Sequence, residues 1–466
     1  MSATEARTDM TTTQTISRRG FLQLGASLGM LLGLGRFDWA RAATAGDYKA
    51  LVCVFLFGGN DGHNTVVPLQ SQQYAAYVAA RGALALPQSQ LLPIADPTQG
   101  PFGLHYAMPE LQALYSQGHA AVLANVGMLV QPTTYAQSLA ASHPLPLNLR
   151  SHSDQVVQMQ TGVPNAGGSN GWGGRTLDLL AYNHGFNATT SFPVAISMER
   201  PALFCDGATV QDVSLWPGNA LDQNGLNLYP PAAAQARAAA QMQIISPSSG
   251  NAMIDAANKV MADARALNPL LRSAATATTF QRPFPSTDLG QQLQEIARVI
   301  SLHGQLGVSR QVFFCSLGGF DTHGGQGYQQ WDLLQQVSQA LDAFYAATEQ
   351  LGVANQVTAF TLSDFGRTLQ PSGSGSDHGW GNHSLIVGGA VRGGHLYGRY
   401  PLMTNYANFN AAGDDYADSR GVMLPSTSLS QYGATLARWL GAADADLDAI
   451  FPTLANFPVR DLGFLS

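Results

Sequence analysis

Aspartates and histidines bunch in a few short, Gly-rich segments of this chain. One is Gly58-Gly59-Asn60-Asp61-Gly62, with His63 and Asn64 directly behind. A second is Phe320-Asp321-Thr322-His323, between paired glycines. A third is Ser363-Asp364-Phe365-Gly366-Arg367-Thr368, and a fourth runs from Asp377-His378 to Asn382-His383. Carboxylate oxygens and imidazole nitrogens suit zinc, calcium, magnesium or manganese. Neighbouring glycines let backbone and ligand approach closely. Taken singly, an aspartate after a strand is an ordinary turn former or helix cap, and a lone loop histidine needs no ligand. Taken together, the segments point to one site for divalent cations. Its expected ligands are Asp61, Asp321, His323, Asp364, His378 and His383.

Arg150-Ser151-His152-Ser153-Asp154-Gln155 precedes a short helical pattern that ends at Thr161-Gly162. Simple capping explains it, with Ser153 as N-cap and Gly162 beyond the C-terminus. The alternative is a hydroxyl at a helix N-terminus, where free N–H groups favour an anion and a nearby cation can activate the oxygen. Arg150 and Arg367 are candidates for gripping an anionic group bidentately. Asn64 is a candidate for holding substrate, and His63 reads as incidental.

Such residues need rigid elements to bring them together. Continuous apolar runs at Tyr48–Phe57, Ala120–Val126, Pro193–Ser197, Val312–Leu317, Val357–Leu362 and Ser384–Val387 read as buried strands. Helical patterns lie between them, at Ala107–Gln117, Asp154–Gln160, Arg175–Tyr182, Ala252–Arg265, Asp288–His303, Gln329–Gln350 and Ser428–Leu440. Alternation of the two predicts a mostly parallel sheet covered on both faces. In such sheets ligands bind beyond the carboxyl ends of the strands, where the Asp/His segments fall. Insertions are expected around 205–245 and 397–424, with a helix in the Ala/Gln-rich tract from Ala232 to Gln243.

The 466 residues include 45% of hydrophobic type, enough for a large core, and only 11% charged residues. With a net charge of −7 and two lysines, Lys49 and Lys259, the chain lacks the basic stripe that nucleic acid requires. Cys53, Cys205 and Cys315 are too sparse for a disulfide framework. Residues 1–45 read as an export signal: Ser17-Arg18-Arg19-Gly20-Phe21-Leu22, an apolar Gly-rich stretch, then small residues up to Ala45. The paired arginines are of the twin-arginine type. This predicts export by the twin-arginine translocase, a periplasmic or secreted protein, and a single domain over 46–466 with no membrane span.

Phe57–Gly62, Arg150-Ser151-His152, Gly171-Trp172, Phe320–His323, Ser363–Thr368 and Asp377–His383, in this order behind a twin-arginine signal, resemble the bacterial domain-of-unknown-function family numbered 1501. That family is similar to the alkaline phosphatase and sulfatase superfamily. The resemblance implies an α/β, alkaline-phosphatase-like three-layer sandwich with helices on both faces of a mostly parallel sheet. It also implies one or two divalent metal ions and an anionic small-molecule or polymer ester as substrate. Two functions follow: an exported metal-dependent hydrolase of phosphate or sulfate esters, or a catalytically inactive metal- or anion-binding or assembly protein of the cell envelope. Asp61 matches the metal-binding Asp after the first strand. Ser151–Gly162 matches the helix that bears the nucleophile, where counting back from Thr161-Gly162 lands on His152. Ser151 is the preferred nucleophile, with His152 beside it. Asp321 and His323 resemble an Asp and His of one metal site. Asp364 matches the Asp of an Asp-His pair whose second place is taken here by Phe365, with His378 able to supply the imidazole. His383-Ser384 resembles a His-Thr pair before the last core strand.

Overall fold

The computed structural model describes residues 47–165, 170–188, 190, 192–218, 229–406 and 413–466. The export signal expected over 1–45 lies outside the described residues. The six apolar runs all form strands of one sheet. Its strands are β1 (Lys49–Leu56), β2 (Ala120–Gly127), β3 (Ala195–Met198), β4 (Val213–Leu215), β5 (Arg310–Leu317), β6 (Val357–Ser363), β7 (Asn382–Gly388), β8 (Leu396–Gly398) and β9 (Thr427–Ser428). The order across the sheet is β8-β2-β7-β6-β1-β5-β3-β4, with β9 also paired to β2. Only β7 runs against its neighbours β2 and β6; the other pairings are parallel.

Helices cover both faces. They include α1 (Ser71–Arg81), α2 (His152–Thr161), α3 (Trp172–His184), α4 (Pro231–Ile245), α5 (Ala252–Ala277), α6 (Asp288–Ser301), α7 (Gln326–Gln350) and α8 (Leu429–Leu440). Alternate side chains of β1 divide between two apolar clusters, as the period of a strand requires. Ala50, Val52, Val54 and Leu56 pack with Leu293 and Ile296 of α6 and Val337 and Leu341 of α7. Leu51, Cys53 and Phe55 pack with Leu177 and Leu180 of α3 and Leu436 and Leu440 of α8. The result is the three-layer sandwich expected. α4 spans the Ala/Gln-rich tract. α1 and a small antiparallel sheet of Val66–Pro68, Leu92–Asp96 and Gly100–Leu104 lie between β1 and β2. Neither was anticipated, because these segments are short and lack a clean apolar period. All three cysteines are buried and free, and among the described residues no helix is long and apolar enough to cross a membrane.

The register matters for chemistry. Leu56 of β1 pairs with Leu317 of β5 on one side and with Ser363 of β6 on the other. Three strands therefore end level, and their following loops open on one rim.

Candidate active site

Asp364 follows β6 and is 2% exposed. Its Oδ1 accepts from the backbone N–H of Gly58, 3.2 Å away. Its Oδ2 lies 2.6 Å from Nδ1 of His152, the first residue of α2. The other nitrogen of that ring, Nε2, lies 3.1 Å from His378 Nε2 and 3.5 Å from Asp321 Oδ1. His378 Nε2 in turn lies 3.3 Å from Asp321 Oδ1, while its Nδ1 is 2.8 Å from the carbonyl oxygen of Arg150. His323 completes the group. Its Nε2 is 2.9 Å from His378 Nε2 and 3.1 Å from Asp321 Oδ1, and its Nδ1 is 3.1 Å from Asp377 Oδ1.

One rule covers all three rings. Each Nδ1 faces an oxygen that can only accept, so the bonding pattern assigns the proton to Nδ1. Each Nε2 then turns a lone pair toward the others and toward a carboxylate oxygen. Imidazole ligands of metals are held in this way, by an outer oxygen on the second nitrogen. The edges among His152 Nε2, His378 Nε2 and Asp321 Oδ1 are 3.1, 3.3 and 3.5 Å. Donors about 2.0 Å from a tetrahedral zinc stand about 3.3 Å apart. The donor set therefore fits a divalent cation, with His152, His378 and Asp321 as a three-atom group and His323 at its rim.

Electrostatics follow from burial and partners. Burial pushes the Asp321 carboxyl up, but the hydrogen bond and charge of Arg367, then His323 and His152, outweigh it and the net shift is down. Asp364 goes the other way, raised by burial despite the bond from His152. His378 is lowered, first by burial, against the bond to Arg150. Beside the cluster lies a cavity of about 390 Å³, lined by Phe57, Gly58, His152, Ser153, Val156, Asp321 and Asp364.

Several expected residues are elsewhere. Asp61 is fully buried and paired with Arg81 of α1, and it also accepts from Gln326 of α7. A guanidinium occupies the place expected for a cation, so Asp61 is not brought to the cluster. His383 accepts from the Asn125 N–H at 3.1 Å, stacks on Tyr400, and leaves Nε2 buried without a hydrogen-bond partner among the described residues. It too stays apart. Asn64 spends its amide on Tyr77, Arg81 and the Leu84 carbonyl, so it cannot also hold substrate. Arg367 is buried and bonds Asp321, Gly58 and Ser376. It orients a carboxylate instead of gripping a ligand. The guanidinium of Arg150 pairs with Asp418 at the surface, 2.7 Å apart, and the residue serves the site through its carbonyl. Ser151 and Ser153 both donate to Asp154, at 2.5 and 3.3 Å, and of the two Ser153 lines the cavity. His152 joins the imidazole group.

Asp377, Arg81 and Gln326 were missed. Asp377 adjoins a named histidine, and that adjacency was the available signal. Arg81 and Gln326 reach Asp61 from remote helices with no local signature.

Residues 48–412 match a family described as protein of unknown function (DUF1501). No curated protein matches the sequence. Among solved structures, the chain is similar to the lipoteichoic acid synthase LtaP from Listeria monocytogenes, at 7% identity over 82% of this chain and 77% of that one, with a TM-score of 0.31. The C-terminal periplasmic domain of EcEptC from Escherichia coli, in a zinc complex, aligns at 11% identity over 85% and 83%, with a TM-score of 0.32. The PsFucS1 sulfatase from Pseudoalteromonas sp. aligns at 10% identity over 92% and 73%, also with a TM-score of 0.32.

Proposed function

Since the chain belongs to the DUF1501 family, its activity has to be read from its own site, and we propose that it is an exported, metal-dependent hydrolase of phosphate or sulfate esters. The supporting observation is the convergence of three Nε2 lone pairs on Asp321 Oδ1 while every Nδ1 is held by an oxygen. A divalent cation held there would polarise an ester oxygen and lower the pKa of a nearby nucleophile. The protein's own groups prepare the site. Asp364 holds the proton on His152 Nδ1, the Arg150 carbonyl holds that on His378, and Asp377 holds that on His323. Arg367 keeps Asp321 ionised and aimed.

Of the hydroxyls at residues 151–153, Ser153 is the better nucleophile in this reading. It lines the same cavity as His152 and Asp321. Ser151 makes the shorter bond to Asp154, 2.5 Å against 3.3 Å from Ser153, and that carboxyl, held below its usual range by Asn148 and then Ser151, is a weak proton acceptor. The twin-arginine segment supports export by that translocase to the periplasm or beyond.

A second reading is a cell-envelope protein that binds a metal or an anion without turnover. The engagement of both serine hydroxyls with Asp154 favours it. Metal analysis of the purified protein and a panel of nitrophenyl phosphates and sulfates separate the two. The hydrolase reading expects retained metal and turnover, with at least a hundredfold loss of turnover in His152→Ala, Asp321→Ala and Ser153→Ala. Asp364→Asn is expected to weaken metal binding roughly 10–100-fold. Metal without turnover on any ester supports the second reading. A wild-type protein that takes up no metal sinks the hydrolase reading and the metal-binding form of the second, leaving an anion-binding protein.

A further inference from the structure

A second, larger cavity of about 610 Å³ lies at the same rim, beyond β1, β3 and β5, and no step above uses it. Phe57 lines both cavities. α2 presents His152 and Val156 to the smaller one and Gln160 to the larger. These positions recur every four residues and share one helix face. The loop after β5 does the same, giving Gly318 to the larger cavity and Asp321 to the smaller. The two spaces are therefore walled by the same three pieces of the molecule.

The larger cavity is lined in two ways. Phe57 and Phe314 supply an apolar wall. Around it stand two acceptors, Glu199 and Asp288, and two donors, Gln160 and Arg200. Gln160 is 6% exposed. Its Oε1 accepts from the Phe204 N–H at 3.1 Å, and its Nε2 has no partner among the described residues. That amide opens on the cavity and is free to donate to a ligand there. Glu199 and Asp288 are close enough that, after burial, the charge of Asp288 raises the Glu199 carboxyl, with Arg200 opposing.

We infer that this cavity is a subsite for a neutral, hydroxyl-rich organic group of saccharide type, carried by the ester that the neighbouring site would cleave. A hydroxyl both donates and accepts, so it can satisfy carboxylates, amide and guanidinium on one wall. A cationic group would use the carboxylates, leave the Gln160 amide unmade and meet Arg200. An anionic group would meet two like charges, and an apolar group would strand all four. The C–H faces of a sugar ring suit the Phe57 and Phe314 wall. The volume falls in the range of pockets for organic ligands of that size. The role as a substrate subsite rests on the hydrolase reading; the binding itself does not.

Isothermal titration of the full chain tests it, with neutral hexasaccharides of glucose, galactose, mannose and N-acetylglucosamine, and the glucosamine hexamer as a cationic arm. At least one neutral hexasaccharide is expected to bind in the millimolar range or tighter. Gln160→Glu keeps the acceptor for Phe204 and removes the donors, and Glu199→Gln removes an acceptor at a more exposed position. Each is expected to weaken binding at least tenfold, and Glu199→Gln to do so with an unchanged melting temperature. His152→Ala is expected to leave binding within twofold, since it alters only the metal group. Saccharide binding without ester turnover would leave this inference standing and remove the hydrolase reading. Ester turnover with no neutral hexasaccharide bound would do the reverse. Binding of the glucosamine hexamer alone, or binding indifferent to both variants, overturns the inference.

Discussion

Asp61 and Asp364 follow adjacent strands and look alike in sequence, yet they end in different chemistry. Asp364 stands behind His152, with the imidazole ring between it and the candidate cation position. Asp61 is sealed against Arg81, which is wholly buried, pulled down to about 9 by desolvation, and bonded also to the carbonyls of Thr368 and Leu369 at 2.8 and 2.9 Å. Gln330 reaches the Asp61 carbonyl at 2.8 Å. Removing one partner of such a pair strands a buried charge, at a cost of about 3–5 kcal/mol. Asp61→Ala is therefore expected to lower unfolding stability by that amount in a denaturant titration, while metal content per folded chain is unchanged. Loss of metal at unchanged stability would return Asp61 to the ligand set.

At the scale of elements, the site depends on strand ends that finish level and on a loop with no room to spare. Gly58, just after β1, has φ +112°, and a Cβ there would run into the backbone of Phe320 and Asp321. The same residue donates to Asp364 and accepts from Arg367. A side chain at such a φ costs about 1–3 kcal/mol before any clash. Gly58→Ala is expected to destabilise the fold by at least that amount. It is also expected to weaken metal binding tenfold or more, because relief of the clash moves Asp321. Calorimetry of metal binding alongside thermal melts checks both. Weakened stability with intact metal affinity would detach the Gly58 turn from the site. The Gly-Gly after an apolar run was visible in the sequence; the residue it makes room for was not.

At the scale of the whole molecule, a chain with few charges keeps some of its imidazoles deep inside. His63 and His383 are fully buried, and desolvation lowers them to about 4 and about 3. Their folded values lie below the usual 6.5, so the unfolded chain takes up protons first as pH falls. The stability they contribute is complete above about pH 6.5 and drains away toward their folded values. The loss is on the order of 2 kcal/mol per histidine by pH 5. Melting temperatures measured from pH 7 to 5 are expected to drop accordingly, and a flat profile would contradict the burial of these rings. Continuous apolar runs determined the strands, because a strand buried on both faces has no polar residue to spare. Period-four apolar patterns determined the helices that cover them, and Gly-flanked Asp and His segments marked the rim. Those are local properties, written in neighbouring residues. Which carboxylate meets an imidazole and which meets a guanidinium was decided only in three dimensions. Arg81, Gln326 and Arg150 act across the fold, and interactions that strong at a few ångströms leave no spacing in the chain by which to foresee them.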